Sequence, residues 1–400
     1  MKILHTADWH LGKQLLKEDL KQDHELFFEF LIETIVSQEV DVLLVTGDIF
    51  DYANPSNESK RSYLDLLFRL KNLGKIKIII TAGNHDSISY LESAKSVLSL
   101  LDITIVGDLE TVDLVPLMED NLVKAIVIPV PFLSDRVLRH GAEMTNQEEK
   151  INIIKESLME VFTTWSLKAK ELYPGIPIIA LGHLYVQGAS ISESERDIQI
   201  GNQAGVAAAG FDELFDYFAL GHIHKPQILT PHVRYSGSPI ALSFSERKDN
   251  KVVILLEIEE KEIKQTSIPV PKIRDLVKFT GNLTEVIAKV ESYQPQCKLQ
   301  AFIELDVIEE IENPSKLLEM KTFEADYKSD TVKIIKSRLS FASQNITASK
   351  FTSGITIAEL SPKDVFRKKV ESTSMAEADK EMVYLAFDEL LEQVLNPEQL

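Results

Sequence analysis

Residues 40 to 51 read Val-Asp-Val-Leu-Leu-Val-Thr-Gly-Asp-Ile-Phe-Asp, an apolar run followed by a glycine and two aspartates. An apolar, β-branched run of this length predicts a buried strand of a sheet that is covered on both faces. Ligands of open α/β sheets bind beyond the carboxyl ends of the strands, and Gly47 allows a sharp turn that directs Asp48 there. Taken alone, a Gly-Asp pair after a strand is more often a helix cap or a turn.

Four further apolar runs end in polar clusters of the same kind. These clusters are Ala7-Asp8-Trp9-His10, Ala82-Gly83-Asn84-His85-Asp86, Leu181-Gly182-His183 and Gly221-His222-Ile223-His224. They contain five of the nine histidines of the chain, a concentration that argues against five separate core histidines. Asp-x-His and His-x-His spacing on an extended segment puts both side chains on one face, so one segment can supply two metal ligands.

The donor types in these clusters indicate which metals fit. Carboxylate and amide oxygens combined with imidazole nitrogens suit Mn, Fe or Zn, whereas an all-oxygen shell suits Mg or Ca. Because the candidates outnumber the ligands of one ion, the sequence predicts a two-metal centre with a shared carboxylate. Such a pair suits in-line displacement at phosphorus, since it stabilises both the attacking and the leaving oxygen.

The ordered motifs Asp-x-His, Gly-Asp-x-x-Asp, Gly-Asn-His-Asp, Gly-His and Gly-His-x-His resemble those of the calcineurin-like metallophosphoesterases. The opening residues 3–12 and the turn at 235–239 resemble the nuclease subunits of bacterial double-strand-break repair complexes. The resemblance implies an α/β fold, a four-layer α-β-β-α sandwich, with a small α+β capping domain and C-terminal partner-binding helices. It also implies DNA double-strand-break repair and hairpin processing, by 3'-5' exonuclease action on duplex DNA and endonuclease action on single-stranded or hairpin DNA.

The same resemblance implies the metals and their ligands. One ion is matched by Asp8, His10, Asp48 and His224, and the other by Asp48, Asn84, His183 and His222. The implied cofactors are two Mn²⁺ ions, with Mg²⁺, Fe²⁺ or Zn²⁺ as alternatives, and the implied nucleophile is a metal-bound water or hydroxide.

The residues beside the ligands receive separate roles. By the resemblance, His85 is the general acid for the leaving oxygen. Asp51 stands where archaeal and eukaryotic relatives have histidine, and we predict that it orients His85. Asp86 is predicted to be a turn residue or a support behind the ligands. The remaining histidines have no motif around them and are interpreted as structural or surface residues: His5, His24, His140 and His232.

Length and composition restrict the protein class. A chain of 400 residues suggests two or three domains, and 44% hydrophobic residues with a mean hydropathy of −0.04 predict a soluble globular protein. No apolar run approaches 18 residues and the chain starts directly with a strand, so we expect a cytoplasmic location. The single cysteine, Cys297, excludes an internal disulfide and a thiolate zinc site.

The net charge of −19 argues against a protein that holds nucleic acid unaided. Basic side chains do follow the first two motifs. Without a metal site beside them, we would interpret them as an ordinary solvent-exposed surface of charged residues. They are Lys13, Lys17, Lys21, Lys60 and Arg61. Bound cations and a partner protein would therefore have to supply much of the DNA affinity.

The chain order predicts three regions, at 1–265, 272–345 and 360–400, with a stiff linker at 269–271. Helices are predicted at 22–38, 57–72, 87–101 and 151–172, and a polar loop near the substrate at 188–209. The resemblance implies that the helices at 57–72 and 87–101 form a homodimer interface. The strand at 299–307 alternates apolar and polar residues, which predicts a sheet with one exposed face.

The C-terminal region predicts two helices, which begin at Ser361 and at Ser374. On the second helix one face carries Val383, Phe387, Leu390 and Val394. Periodicity alone allows this face to pack on the chain's own capping domain or on a partner, and the resemblance favours an SbcC-type ATPase. Two other functions stay open: a metallophosphoesterase acting on nucleotides or phosphoproteins, and a catalytically idle scaffold.

Overall fold

The computed structural model describes residues 1–139, 146–192, 195–198, 205–311 and 313–342, and five single residues beyond them: 370, 380, 383, 384 and 387. The chain forms two compact units, one of residues 1–307 and 318–338 and one of residues 308–317 and 339–400. All candidate site residues belong to the first unit. Apart from the five single residues, the predicted C-terminal helices lie outside the described residues, as does His140. The predicted domain boundaries stay predictions.

The described residues contain the following strands: β1 (Lys2–Thr6), β2 (Gln14–Leu15), β3 (Glu18–Asp19), β4 (Val42–Thr46), β5 (Lys77–Thr81), β6 (Ile103–Val106), β7 (Val115–Glu119), β8 (Leu122–Pro129), β9 (Ile178–His183), β10 (Val186–Gln187), β11 (Val206–Ala207), β12 (Tyr217–Gly221), β13 (Gln227–Ile228), β14 (Val233–Tyr235), β15 (Val252–Glu259), β16 (Glu262–Pro269), β17 (Leu276–Gly281), β18 (Ala301–Glu309) and β19 (Val332–Phe341).

The helices of the same residues are α1 (Lys21–Gln38), α2 (Asn57–Lys71), α3 (Ile88–Ser93), α4 (Lys95–Ser99), α5 (Asp135–Leu138), α6 (Gln147–Leu172), α7 (Ala209–Asp212), α8 (Leu283–Ser292) and α9 (Pro314–Asp326). The single helix predicted at 87–101 is wrong, because the chain interrupts it at Ala94 with φ −105°. There the Ser93 hydroxyl donates to the Tyr90 carbonyl at 2.6 Å, a side-chain bond that competes with helix formation. No helix of the described residues is long and apolar enough to cross a membrane.

Two mixed six-stranded sheets form the body of the first unit. The first has the order β16-β15-β1-β4-β5-β6, and β1, β4, β5 and β6 run parallel. The second has the order β13-β14-β12-β9-β8-β7, and β8, β9, β12 and β14 run parallel. In each sheet the carboxyl ends of the parallel strands therefore meet at one edge.

The alternation of side chains along the strands builds three apolar cores. In β4, Val42 and Leu44 join a core shared with Ile179 and Leu181 of the second sheet. The intervening Leu43 and Val45 belong to a separate core that also contains residues of α1 and α2. A third core combines the opposite face of the second sheet with α6. The layers are thus helix, sheet, sheet and helix, which confirms the predicted fold class.

A smaller sheet of order β17-β18-β19 follows the two large sheets in the chain, and β17 pairs in parallel with β18. Along the chain this region runs β17, α8, β18, α9 and β19. The predicted exposed face of β18 is wrong, because Phe302 and Glu304 are both buried. Arg274 covers the Phe302 ring at 4.0 Å, and Lys278 and Lys336 lie 3.7 and 3.0 Å from Glu304.

Candidate metal centre

The candidate residues meet where the parallel strands of the two large sheets end. The first sheet supplies Asp8 and His10 after β1, Asp48 after β4, and Asn84 and His85 after β5. The second sheet supplies His183 at the end of β9, and His222 and His224 after β12. The registers Thr46↔Thr81 and Gly221↔His183 align the ends of neighbouring strands. The structure thus brings all seven predicted ligands and His85 to one site.

The backbone at this site adopts conformations that side chains usually disfavour. Asp8, His10 and Asp48 have φ of 53°, 49° and 48°, and His222 has φ of 99°. Such left-handed residues persist where the surrounding structure fixes them, and they concentrate at functional sites. Here the N–H of Asp8 donates to Gly47 O at 3.1 Å and that of His10 to Asp48 O at 2.9 Å.

Glycine is needed where the two sheets approach each other at the site. A Cβ on Gly47, whose φ is +79°, would lie 2.2 Å from His183 Nδ1. A Cβ on Gly221 would lie 1.8 Å from the Thr46 carbonyl oxygen. The glycines beside the motifs therefore allow the ligand-bearing strand ends of the two sheets to lie against each other.

The Asp48 carboxylate lies between two groups of donors. Its Oδ2 is 3.4 Å from His10 Nε2 and also 3.4 Å from His183 Nε2. On one side, His10 Nε2 lies 3.1 Å from His224 Nε2. On the other side, Asn84 Oδ1 lies 2.9 Å from His183 Nε2 and 3.2 Å from His222 Nδ1. This is the arrangement that a shared carboxylate between two cations requires.

Two buried polar atoms of the predicted metal ligands have no hydrogen-bond partner among the described residues. They are Asp8 Oδ2 and His222 Nε2. Because buried polar atoms are almost always satisfied, each such atom calls for an explanation. Donor atoms of Asp8, His10 and Asp48 also lie within 4.8 Å of one another. Divalent cations fit this donor set of carboxylate, amide and imidazole groups.

The charged groups of the site strongly shift one another's pKa. Burial raises the pKa of Asp8 to about 7, against the opposing effect of His183. Burial also acts to raise the pKa of Asp48, but the neighbouring His183 and His10 hold it well below its usual range. For His183 burial lowers the pKa, yet the Asp48 and Asp8 carboxylates bring it to about 9. Perturbations of this size in a cluster are typical of functional sites.

A second layer of residues fixes the ligand rings. The Nδ1 atoms of three ligands face acceptors: Asp51 Oδ1 is 3.2 Å from His10, Glu246 Oε1 is 3.3 Å from His224, and Thr46 O is 3.1 Å from His183. A hydrogen bond at Nδ1 leaves Nε2 of each ring as a metal donor.

The general-acid candidate His85 is placed by main-chain contacts. Its Nδ1 donates to the Asp51 carbonyl at 2.8 Å, and its backbone N–H donates to Asp48 Oδ1 at 2.9 Å. Its Nε2 lies 3.9 Å from Asp48 Oδ2. Burial lowers the pKa of His85, and the nearby Asp48 opposes this shift.

Asp51 contacts both His10 and His85. Its carboxylate faces His10 Nδ1, and Lys13 Nζ lies 3.1 Å from the same Oδ1. Its carbonyl accepts the hydrogen bond from His85 Nδ1, and its carboxylate oxygen also lies within 4.8 Å of a His85 ring nitrogen. Asp86 accepts the N–H groups of Gly83, Ile49 and Phe50 at 2.8 to 3.1 Å, behind the ligands.

Sequence reasoning missed two acidic residues beside His224. Glu246 is 1% exposed and forms an ion pair with Lys251 at 2.5 Å. Glu195, in the predicted polar loop, accepts the backbone N–H of His224 at 2.8 Å. Neither residue has a motif around it, so the sequence contains no signal for these contacts.

The remaining predicted groups lie outside the ligand cluster. His5 is buried and contacts Tyr217 Oη at 2.9 Å, and His232 Nδ1 contacts Asp216 O at 2.9 Å. Of the predicted basic group, Lys13 reaches the site, Lys21 pairs with Glu58 at 2.6 Å, and Lys60 lies over the Tyr90 ring.

A known protein family and several individual proteins are similar to this chain. The model of the calcineurin-like phosphoesterase family matches residues 1–226. The SbcD subunit of the SbcCD nuclease of Escherichia coli K12 is 32% identical over 299 residues, 74% of each chain. The SbcD subunit from Rhodobacter capsulatus is 33% identical over 306 residues, 73% of this chain and 75% of its own. A solved dimetal phosphatase from Danio rerio is 13% identical, covers 68% of this chain and 97% of its own, and has a TM-score of 0.41.

Proposed function

Because the chain belongs to the calcineurin-like phosphoesterases, and among them to the SbcD nuclease subunits, we propose that it repairs DNA double-strand breaks and processes hairpins by two-metal hydrolysis. The substrates we propose are duplex ends, attacked with 3'-5' polarity, and single-stranded or hairpin DNA, cut internally. The single observation that carries the chemistry is the Asp48 carboxylate, 3.4 Å from a histidine of each donor group.

The residues divide into two metal-binding sets. Asp8, His10 and His224 would hold one ion with Asp48, and Asn84, His183 and His222 would hold the other with the same carboxylate. The mixed oxygen and nitrogen donors favour Mn²⁺, with Mg²⁺, Fe²⁺ or Zn²⁺ as alternatives. When bound, such ions polarise the phosphodiester and lower the pKa of water at the site.

The chain's own residues orient the reacting groups. Asp51, Glu246 and the Thr46 carbonyl fix the ligand rings, because each faces an Nδ1 atom. His85 already donates through Nδ1 to the Asp51 carbonyl, so its Nε2 is the atom that would protonate the leaving oxygen. The negative charge of a bound phosphodiester would raise the pKa of His85 and favour this acid form.

We also propose partners for the chain. Large apolar side chains are exposed on α2, where Phe68 is 69% exposed, and directly after α4, where Leu100 is 84% exposed, which supports a homodimer through this face. The net charge of −19 supports the need for an SbcC-type ATPase that helps to hold DNA ends and hairpins. A cytoplasmic location follows from this proposed role.

The test compares substrates in the presence and absence of Mn²⁺. Linear duplex DNA, a hairpin, bis-p-nitrophenyl phosphate and a nucleoside monophosphate are each incubated with the chain, alone and with the ATPase. We expect Mn²⁺-dependent cleavage of DNA and of the diester, with DNA cleavage stimulated by the ATPase and ATP. Hydrolysis of the monoester alone would contradict the nuclease and favour a phosphatase acting on nucleotides or phosphoproteins. No hydrolysis with two bound ions would indicate an idle scaffold.

A further inference from the structure

Arg274 and Asp23 form a buried ion pair between segments that are 251 positions apart. Arg274 Nε and Nη2 lie 2.9 and 2.7 Å from Asp23 Oδ1 and Oδ2, a bidentate arrangement. Arg274 also donates through Nη1 to the Gln300 carbonyl at 2.6 Å and covers the Phe302 ring. Arg274 precedes β17, and Gln300 precedes β18. The pair therefore fixes the start of the small sheet to the first turn of α1.

The residue after Asp23 continues this connection to the metal ligands. His24 is 3% exposed, and its Nε2 lies 2.7 Å from the Trp9 carbonyl oxygen. Its Nδ1 lies 2.8 Å from the Leu20 carbonyl oxygen, and its backbone N–H donates to the same oxygen at 3.0 Å. Both ring nitrogens lie within hydrogen-bond distance of a carbonyl oxygen, and the neutral ring donates to one of the two. The Trp9 carbonyl belongs to the segment between the first two predicted ligands.

Trp9 is the centre of the metal-binding turn. Its neighbours Asp8 and His10 both have a left-handed backbone, which other contacts must stabilise. The Trp9 ring contacts Phe27 and Phe28 of α1, with centroids 6.3 and 5.8 Å apart. Helix α1 therefore holds this turn both through the indole and through the His24 contact to its main chain.

We propose that Arg274, Asp23 and His24 act as positioning residues that couple the small sheet to the Asp8–His10 metal-binding turn. Nucleic acid that contacts or moves β17 and β18 would thereby change the geometry of the first metal site. The inference rests on the proposed metal centre. Such coupling is a free energy that acts in both directions, so it can be measured from the metal site and from the small sheet.

The first measurement is Mn²⁺ affinity by calorimetry at a temperature where every variant is folded. Arg274→Met and His24→Gln should each weaken binding roughly two- to thirtyfold, the range of coupling through a packed network. Both residues act through one chain of contacts. The double variant should therefore bind Mn²⁺ as tightly as the single variant that has the lower affinity. Arg274→Lys, which keeps the charge, should recover part of the affinity.

Lys333→Met is the matched control. Lys333 of β19 pairs with Glu18 of β3 at 2.7 Å, so it also joins the small sheet to the segment before α1. Both partners are solvent-exposed to a substantial degree, and the contact does not reach Trp9. This variant should bind Mn²⁺ like the wild type.

The second measurement needs no variant that could misfold. If the coupling is reciprocal, adding Mn²⁺ to the wild type should slow amide hydrogen exchange in peptides covering 272–281 and 300–307. The hairpin tip at 259–262 should not respond.

The outcomes separate this inference from the proposed function. A wild type that binds no Mn²⁺ overturns the metal centre and the coupling together. A wild type that binds Mn²⁺ with the same affinity as Arg274→Met and His24→Gln overturns the coupling alone. Additive losses in the double variant, or unchanged exchange at 272–281 and 300–307 on metal binding, would also overturn the coupling.

Discussion

Glu246 and His224 are joined by a buried hydrogen bond, with Nδ1 of the imidazole 3.3 Å from Oε1 of the carboxylate. Glu246 is further held by Lys251, by the Ser238 hydroxyl at 3.2 Å and by the Leu242 N–H at 3.2 Å. A carboxylate fixed so firmly behind a ligand sets the tautomer and the orientation of the ring.

Glu246→Gln should therefore weaken metal binding, roughly ten- to a hundredfold, without removing a ligand. The amide keeps the size of the side chain but loses the charge that favours Nδ1–H. Calorimetric titration with Mn²⁺ measures the loss. The matched control is Glu257→Gln, whose partner Lys264 lies at the surface. Equal Mn²⁺ affinity in the Glu246 variant and this control would show that Glu246 does not position His224.

Asp48→Ala tests the shared carboxylate. Because Asp48 Oδ2 faces a histidine of both donor groups, its loss should remove one ion outright and weaken the other. His10→Ala should disturb mainly one ion. Metal analysis of the purified proteins gives the number of equivalents, and two full equivalents in Asp48→Ala would exclude the bridging role.

His85→Ala separates chemistry from binding. The variant should keep both ions and its DNA affinity while losing on the order of a hundredfold or more in rate. A diester with a good leaving group, which needs little protonation, should be affected less than DNA. Equal losses on both substrates would point to a positioning role for His85.

The C-terminal segment, of which the structure describes only residues 380, 383, 384 and 387 beyond position 374, carries the proposed ATPase contact. Deleting residues 374–400 should leave a folded, metal-loaded nuclease that no longer co-purifies with its ATPase and loses ATP-stimulated duplex cleavage. Leu390→Asp should have the same effect, since it puts a charge in the predicted apolar face. Retained partner binding together with a markedly lower melting temperature would assign this helix to the chain's own core.

Asp275 should make stability depend on pH in the acid range. Burial acts to raise the pKa of Asp275, but Lys272 at 2.9 Å and the Gln296 N–H at 2.7 Å hold it at about 2. The pKa of Asp275 in the folded protein lies below its unfolded value of about 3.9, so the ionised carboxylate stabilises the fold by an amount of order 2 kcal/mol. This stabilisation is complete above about pH 3.9 and is lost as the pH falls toward about 2. Urea unfolding of the wild type and Asp275→Asn should show a difference that narrows over this interval.

The strands and the ligands could be predicted because their signals are local. An apolar run followed by Gly and a polar residue identifies a strand end from a few positions, as at Val45–Asp48. Parallel pairing then places such ends together, whatever the length of chain between them. The meeting of Asp48 with Asn84 in the first sheet, and of His183 with His222 in the second, follows from this rule without knowledge of side-chain packing. Their assignment as metal ligands stays a prediction.

The supporting contacts could not be predicted because they depend on the packed geometry. Glu246 reaches His224 from a short 3-10 turn 22 residues further along the chain. Asp51 orients His85 through a carbonyl, which every residue type possesses, while its carboxylate turns to His10. Likewise, Phe302 lies on the predicted solvent face of β18, but it belongs to the same apolar core as Leu276 and is covered by Arg274.

The division of ligands between the two large sheets has a thermodynamic consequence. Each proposed ion would bind groups from both sheets, so metal would act as a cross-link across the interface formed by Ile3, Val42 and Leu44 with Ile179 and Leu181. Since cations bind this arrangement only when the sheets are in place, the free energy of unfolding should rise with the logarithm of Mn²⁺ concentration above its Kd. A chelator would then lower the melting temperature of the wild type but hardly that of Asp48→Ala, and metal supply would determine how much of the protein survives in the cell.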